Sequence, residues 1–209
     1  MRITNAKSWD LGVNFVNDII KVSDLNVFIP SIDISALRIA QIGTADLIKN
    51  VSQQVINNVN VQIQLGIMGE KTSFQIMQDM GGSLTSPGVF KTIAVRAETI
   101  TRTEISRVQN IATQARLNQF GEEIPEMQKQ WLWSGVSRVT HAAAHGQVVD
   151  FDESFIVGGE KLRFPLDPRG TAGNTINCGC TVVPFMPDWP PLDELLPDVQ
   201  AEADELVRK

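Results

Sequence analysis

Between Val89 and Phe120, side chains suited to one buried face recur at Ile93, Ala97, Ile100, Glu104, Val108, Ile111 and Ala115, in steps of three and four. That period belongs to an α-helix and to no strand, so the chain must be built around one long helix, with Gly121 placed as a C-cap glycine would be. One member of the seam is a carboxylate. Burying Glu104 alone would cost several kcal/mol, so the pattern predicts an arginine, a metal or a hydrogen-bond network beside it, or a helix rotated to bring Ile105 inward. The helix also carries Lys91, Arg96, Arg102, Arg107 and Arg116. Arg102 follows Glu98 by four positions and Arg107 follows Glu104 by three, the spacings of intrahelical ion pairs; the competing reading is a basic stripe facing DNA or an acidic partner.

The flanking segments read less sharply. The first thirty residues hold short apolar clusters at 13–16 and 19–22, closed by Pro30, with no settled pattern. Apolar positions from Ser35 to about Gly66 predict an amphipathic helix, weakened in its second half by VINNVNVQIQ, and a shorter helix is expected over Ser73–Met80, stopped by Gly81-Gly82. Beyond Gly121 the period changes to two. MQKQWLWS, QVV, SFIV and CTVVPF read as strands, Gly158-Gly159 as a turn, and Trp131 and Trp133 share one side of their strand as core residues. The expected fold is α+β: a helical N-terminal region over 1–86, an α+β unit over 87–187 in which the long helix packs on a small mixed or antiparallel sheet, and an acidic, Pro-rich tail with a short helix over 188–209.

A hydrophobic fraction of 43% in 209 residues supports a full core, and no stretch reaches the ~18 apolar residues of a membrane span or shows a signal-peptide pattern. The net charge of −6 disfavours a dedicated DNA-binding protein. Seven acids and two bases from Asp188 to Lys209 place −5 of that charge on the tail, which reads as a linker or a docking segment.

Ligand-type residues gather in the second half: His141 and His145 in THAAAHG, and the chain's two cysteines, Cys178 and Cys180, in NCGC. A C-x-C disulfide would close too small a ring, so a reducing compartment fits, and the choice lies between a shared metal and packed thiols. Two thiolates with two imidazoles suit tetrahedral zinc. Neither the H-x-E and P-C-x-x-C signature of zinc deaminases nor a phosphate-binding glycine loop occurs.

RAETITRTEISR, WLWSGVSRVTHAAAHGQVV, DESFIVGGEKLRFPLDP and INCGC, in that order from Val95 to Phe185, resemble the phage Mu F-like minor head proteins, also called phage head morphogenesis proteins. The shared pattern falls on Arg96, Arg102, Thr103 and Glu104, on Arg138, His141 and Gly146, on Asp152, Phe155, Pro165, Asp167 and Pro168, and on Asn177, Cys178 and Cys180. Gly179 stands where the family usually has arginine, and an acid expected a few positions before Arg138 is missing. The resemblance implies a metal or polar cluster of His141, Cys178 and Cys180, with a fourth ligand from Asp167, His145 or Glu104, and a structural polar cluster of Arg102, Glu104 and Arg138. It further implies a non-enzymatic virion protein, made in the bacterial cytoplasm and placed at the head interior and portal, with the portal, other head or scaffold proteins and packaged DNA as partners. The alternative is an enzyme, nuclease-like or another hydrolase or toxin domain, using Arg102, Glu104, Arg138 and His141.

Overall fold

A computed structural model describes residues 5–22, 51–67, 70–86, 88, 90–136, 138–190, 194 and 196–208. The long helix runs over Ile93–Glu123 (α4), with Thr92 as its N-cap accepting from the Val95 N–H at 3.1 Å. It continues through Gly121 and ends at Ile124, so Gly121 is not the cap. A Cβ at Gly121 would come within 2.5 Å of the Phe151 ring, and the glycine is there to let that ring lie on the helix.

Three helices pack on α4: Asn5–Val22 (α1), whose Val16 and Ile20 also join the core of the β unit, Gln53–Ile67 (α2) and Ser73–Ser83 (α3). Val13, Val16 and Ile20 are the buried residues of α1, spaced by three and four, so a helical stripe was present in the segment that the apolar clusters left unassigned. Of the helix expected over 35–66, the part over 53–66 is seen as α2, Val51 and Ser52 are not helical, and 35 to 50 lies outside the described residues. In α3 a capping box between Thr72 and Gln75 fixes the start. Its end is Ser83, past the Gly81-Gly82 pair that was expected to stop it, with Leu84 buried as C-cap.

The other side of α4 carries the β unit. Gln128–Leu132 (β1) is the central strand of an antiparallel sheet ordered β2-β1-β5, with Val148–Asp150 (β2) and Thr181–Phe185 (β5) at its edges. Pro184 is admissible because β5 pairs on one side only. Phe155–Val157 (β3) and Glu160–Leu162 (β4) form a separate hairpin around Gly158 (φ 57°) and Gly159 (φ 81°), the two positive-φ positions of a type I′ turn. The short helices Val139–Ala142 (α5) and Ala172–Thr175 (α6) precede β2 and β5, and the tail ends in Pro197–Arg208 (α7), which packs on α5 through Val199, Ala203 and Leu206. The α+β class is therefore observed. No helix among the described residues is long and apolar enough to cross a membrane.

Candidate metal centre

The two faces of α4 differ in chemistry. Ala97, Ile100, Val108 and Ala112 meet the helical layer in one apolar cluster. Turned toward the β unit is a polar stripe at 103, 107, 110 and 114, in steps of four, three and four, whose side chains bind the backbone there. Thr103 Oγ1 accepts from the Asn177 N–H at 3.1 Å, Arg107 Nε donates to the Leu166 carbonyl at 3.1 Å, Asn110 Nδ2 to the Cys180 carbonyl at 3.2 Å, and Gln114 Nε2 to the Phe151 carbonyl at 2.9 Å. Two of these four bonds fall within Asn177–Cys180. Asn177 takes the left-handed conformation there (φ 57°), which asparagine tolerates better than most residues.

This turn sets the sulfurs of Cys178 and Cys180 beside the imidazole of His141 on α5. Both cysteines are free, and the three residues are 2%, 1% and 0% exposed. His141 Nδ1 lies 3.4 Å from one sulfur and 3.6 Å from the other, and the three donor atoms fall within 4.8 Å of one another. For a tetrahedral ion with Zn–S near ~2.3 Å and Zn–N near ~2.05 Å, the S···N edge is about 3.5 Å, which both S···N distances match. The same distances suit S–H···N hydrogen bonds, and packed thiols share this geometry. The hydrogen bond to Cys180, then burial, push the Cys178 thiol well above its ordinary pKa, so an ion binding here must displace protons.

The fourth ligand differs from expectation. Asp167 is fully buried but belongs to Arg163 and Arg169, whose guanidinium nitrogens approach its carboxylate to 3.0 and 2.9 Å. Burial would raise this carboxyl, but hydrogen bonds from the two side chains and their backbone N–H groups outweigh it and hold the group well below the usual carboxylate range. Asp167 is thus the anchor of a two-arginine clamp, not a ligand. His145 shares no helical face with His141, because α5 ends at Ala142; its Nδ1 accepts from the Trp133 N–H at 3.3 Å, and burial lowers its pKa. Glu104 is buried in the seam as the pattern required, with no rotation toward Ile105, and its close partner is Arg107.

The expected cluster of Arg102, Glu104 and Arg138 does not assemble. Arg102 points to solvent with its side chain 72% exposed, 3.9 Å from Glu98, while Arg138 donates to the Ile176 carbonyl. The two intrahelical ion pairs are present at the expected spacings, but the basic stripe is not: Arg96, Arg107 and Arg116 are buried, with Arg96 bonded to the Ser86 carbonyl and Arg116 to Asn17.

Sequence reasoning missed Lys129. It is fully buried, donates to Gln114 Oε1 at 3.1 Å and to the Arg163 carbonyl at 2.8 Å, and lies 5.3 Å from the Phe155 ring centre. The signal was available: Met127, Lys129, Trp131 and Trp133 alternate on one side, and both tryptophans are core.

A family model described as "Phage Mu protein F like protein" matches residues 51–183, a span that runs from just before α2 into β5 and includes His141 and both cysteines. Among curated proteins, the chain is similar to an NAD(+)–arginine ADP-ribosyltransferase, EFV, of Enterococcus faecalis (strain ATCC 700802 / V583), 34% identical over 86 residues that make up 40% of this chain. The chain spans 18% of that protein's length. No solved structure matches.

Proposed function

The chain belongs to the Phage Mu protein F like family, and from that premise we propose that it is a minor head protein of a tailed bacteriophage, acting in head morphogenesis inside the head and beside the portal. The observation that carries this reading is the extent of the family match, which takes in α2, α3, α4 and nearly all of the β unit rather than an isolated motif. Its role is structural. The residues from which an enzyme would have been built do not line one open site, since Arg102 faces solvent, Glu104 is buried and paired with Arg107, and His141 faces two sulfurs inside the core. The activity in the name of the Enterococcus relative belongs to a protein of which the matched stretch is a small part.

The partners are the portal and other head or scaffold proteins. With Val199, Ala203 and Leu206 turned inward, α7 presents Asp198, Glu202, Asp204 and Glu205 outward, an acidic face suited to a basic surface on such a partner and repelled by packaged DNA. Zinc is the ion we assign to His141, Cys178 and Cys180. Mass spectrometry of purified procapsids and mature particles tests the placement: the protein is expected in procapsids at a fixed ratio to the portal, and its absence from both would refute the assignment. Incubation with labelled NAD and arginine-rich protein tests the catalytic alternative, with no transfer expected.

A further inference from the structure

His141, Cys178 and Cys180 are the donors gathered within 4.8 Å of one another among the described residues. A structural zinc site ordinarily closes with four protein ligands, whereas three protein ligands leave a position for an exchangeable one. The candidates for a fourth are otherwise engaged: Asp167 by two arginines, Glu104 by Arg107. His145 is decided by its proton. A backbone N–H can only donate, so the bond from Trp133 makes His145 Nδ1 an acceptor. In a neutral imidazole the other nitrogen, Nε2, then carries the hydrogen; it is buried without a hydrogen-bond partner, and to bind a metal it would have to give up that hydrogen and pass it to Nδ1 at the expense of the Trp133 bond. Binding through Nδ1 would require breaking the Trp133 bond.

One side of the cluster is suited to an outside ligand. Gly179, between the two cysteines, is exposed and has no side chain to cover them. A Cβ at that position would lie 3.1 Å from Ser134 Oγ, a buried hydroxyl without a hydrogen-bond partner. A hydroxyl with neither donor nor acceptor beside it is what a bound water or anion satisfies.

We infer that this chain binds its metal through three protein donors, His141, Cys178 and Cys180, and leaves the fourth position, on the Gly179 and Ser134 side, to water or a small anion. The inference rests on the zinc reading above and goes beyond it, because it makes the centre coordinatively open. Cobalt(II) is the probe. Full-length protein loaded with cobalt(II) should show thiolate-to-metal charge-transfer absorption that Cys178→Ser diminishes; if no such band forms, the metal reading itself fails. With the band in place, added azide should shift the visible d–d bands of the wild type. His145→Ala should leave the azide-free spectrum unchanged, and so should His145→Gln, which keeps an acceptor for the Trp133 N–H. A wild-type spectrum indifferent to azide, or d–d bands displaced by both His145 variants, would overturn the inference while leaving metal binding established.

Discussion

A lysine with neutral partners inside a protein makes a quantitative demand on stability. Lys129 sits on the inward side of β1, and its hydrogen-bond acceptors are an amide and a carbonyl. Burial lowers its pKa from 10.5 to about 8, an effect that the charges of Asp152, Asp167 and Glu153 only partly offset. At about 1.4 kcal/mol for each tenfold change in proton affinity, that fall corresponds to about 3 kcal/mol. Because the folded pKa is the lower one, the unfolded chain holds more protons than the native one between about pH 8 and 10.5, and stability contributed by Lys129 rises with pH across that window. Below it the burial penalty is fully felt.

The Cys178 thiol works in the opposite sense, since its raised pKa makes the unfolded chain the first to lose that proton. The two effects separate in a difference. Denaturant unfolding of the wild type and of Lys129→Met, both in chelator, should give a stability gap that moves toward the wild type by about 2 kcal/mol from pH 7.5 to 9.5. The unmet acceptors Gln114 Oε1 and the Arg163 carbonyl add an offset in the variant that does not depend on pH. A gap that stays flat over that range would show that Lys129 is solvated or paired, and the reasoning would fall.

Glu104→Gln leaves Arg107 buried beside a neutral amide and should cost about 3 to 5 kcal/mol, read from denaturant midpoints. Gly121→Ala should lose about 1 to 3 kcal/mol by forcing a methyl against the Phe151 ring, and the loss should largely vanish when Phe151 is also replaced by alanine; equal losses in both backgrounds would exclude that contact. Cys178→Ser and Cys180→Ser should lower stability by similar amounts in metal-loaded protein, as members of one cluster, and melting temperatures show whether one alone matters. Metal affinity should fall as pH falls, because both thiols must lose protons to bind; competitive titration with a chelator at several pH values measures it.

The long helix, its buried carboxylate and four of the five strands are legible because each is written in a local pattern; β4, over Glu160–Leu162, is too short and charged to carry one. Glycine is where local signs misled. Gly81-Gly82 and Gly121 look like stops, yet α3 and α4 run through them, and at Gly121 the reason is a ring brought from Phe151, thirty positions away. His145 follows His141 by four residues, a spacing that shares one face only in a continuing helix, and α5 lasts only to Ala142. Asp167 is not legible as a clamp because a carboxylate in a shared motif says nothing of which cations fold onto it, and here those are Arg163 and Arg169. By contrast, the stripe at 103, 107, 110 and 114 had a helical period that was open to reading; polar residues were simply not sought as a buried face.

That stripe changes how the cysteine cluster relates to the fold. In small zinc domains the ion supplies the folding energy, and the apo chain is unfolded. Here the turn bearing the sulfurs is held by Thr103 and Asn110 from α4, and α5 is held from outside by α7. These contacts hold His141 Nδ1 3.4 and 3.6 Å from the two sulfurs. The three donors are therefore positioned by contacts from the polar face of a helix and by the helix packed on α5. The long helix is the element that both the helical layer and the sheet require, so Thr103 and Asn110 are fixed in place by packing that does not depend on the residue between the cysteines.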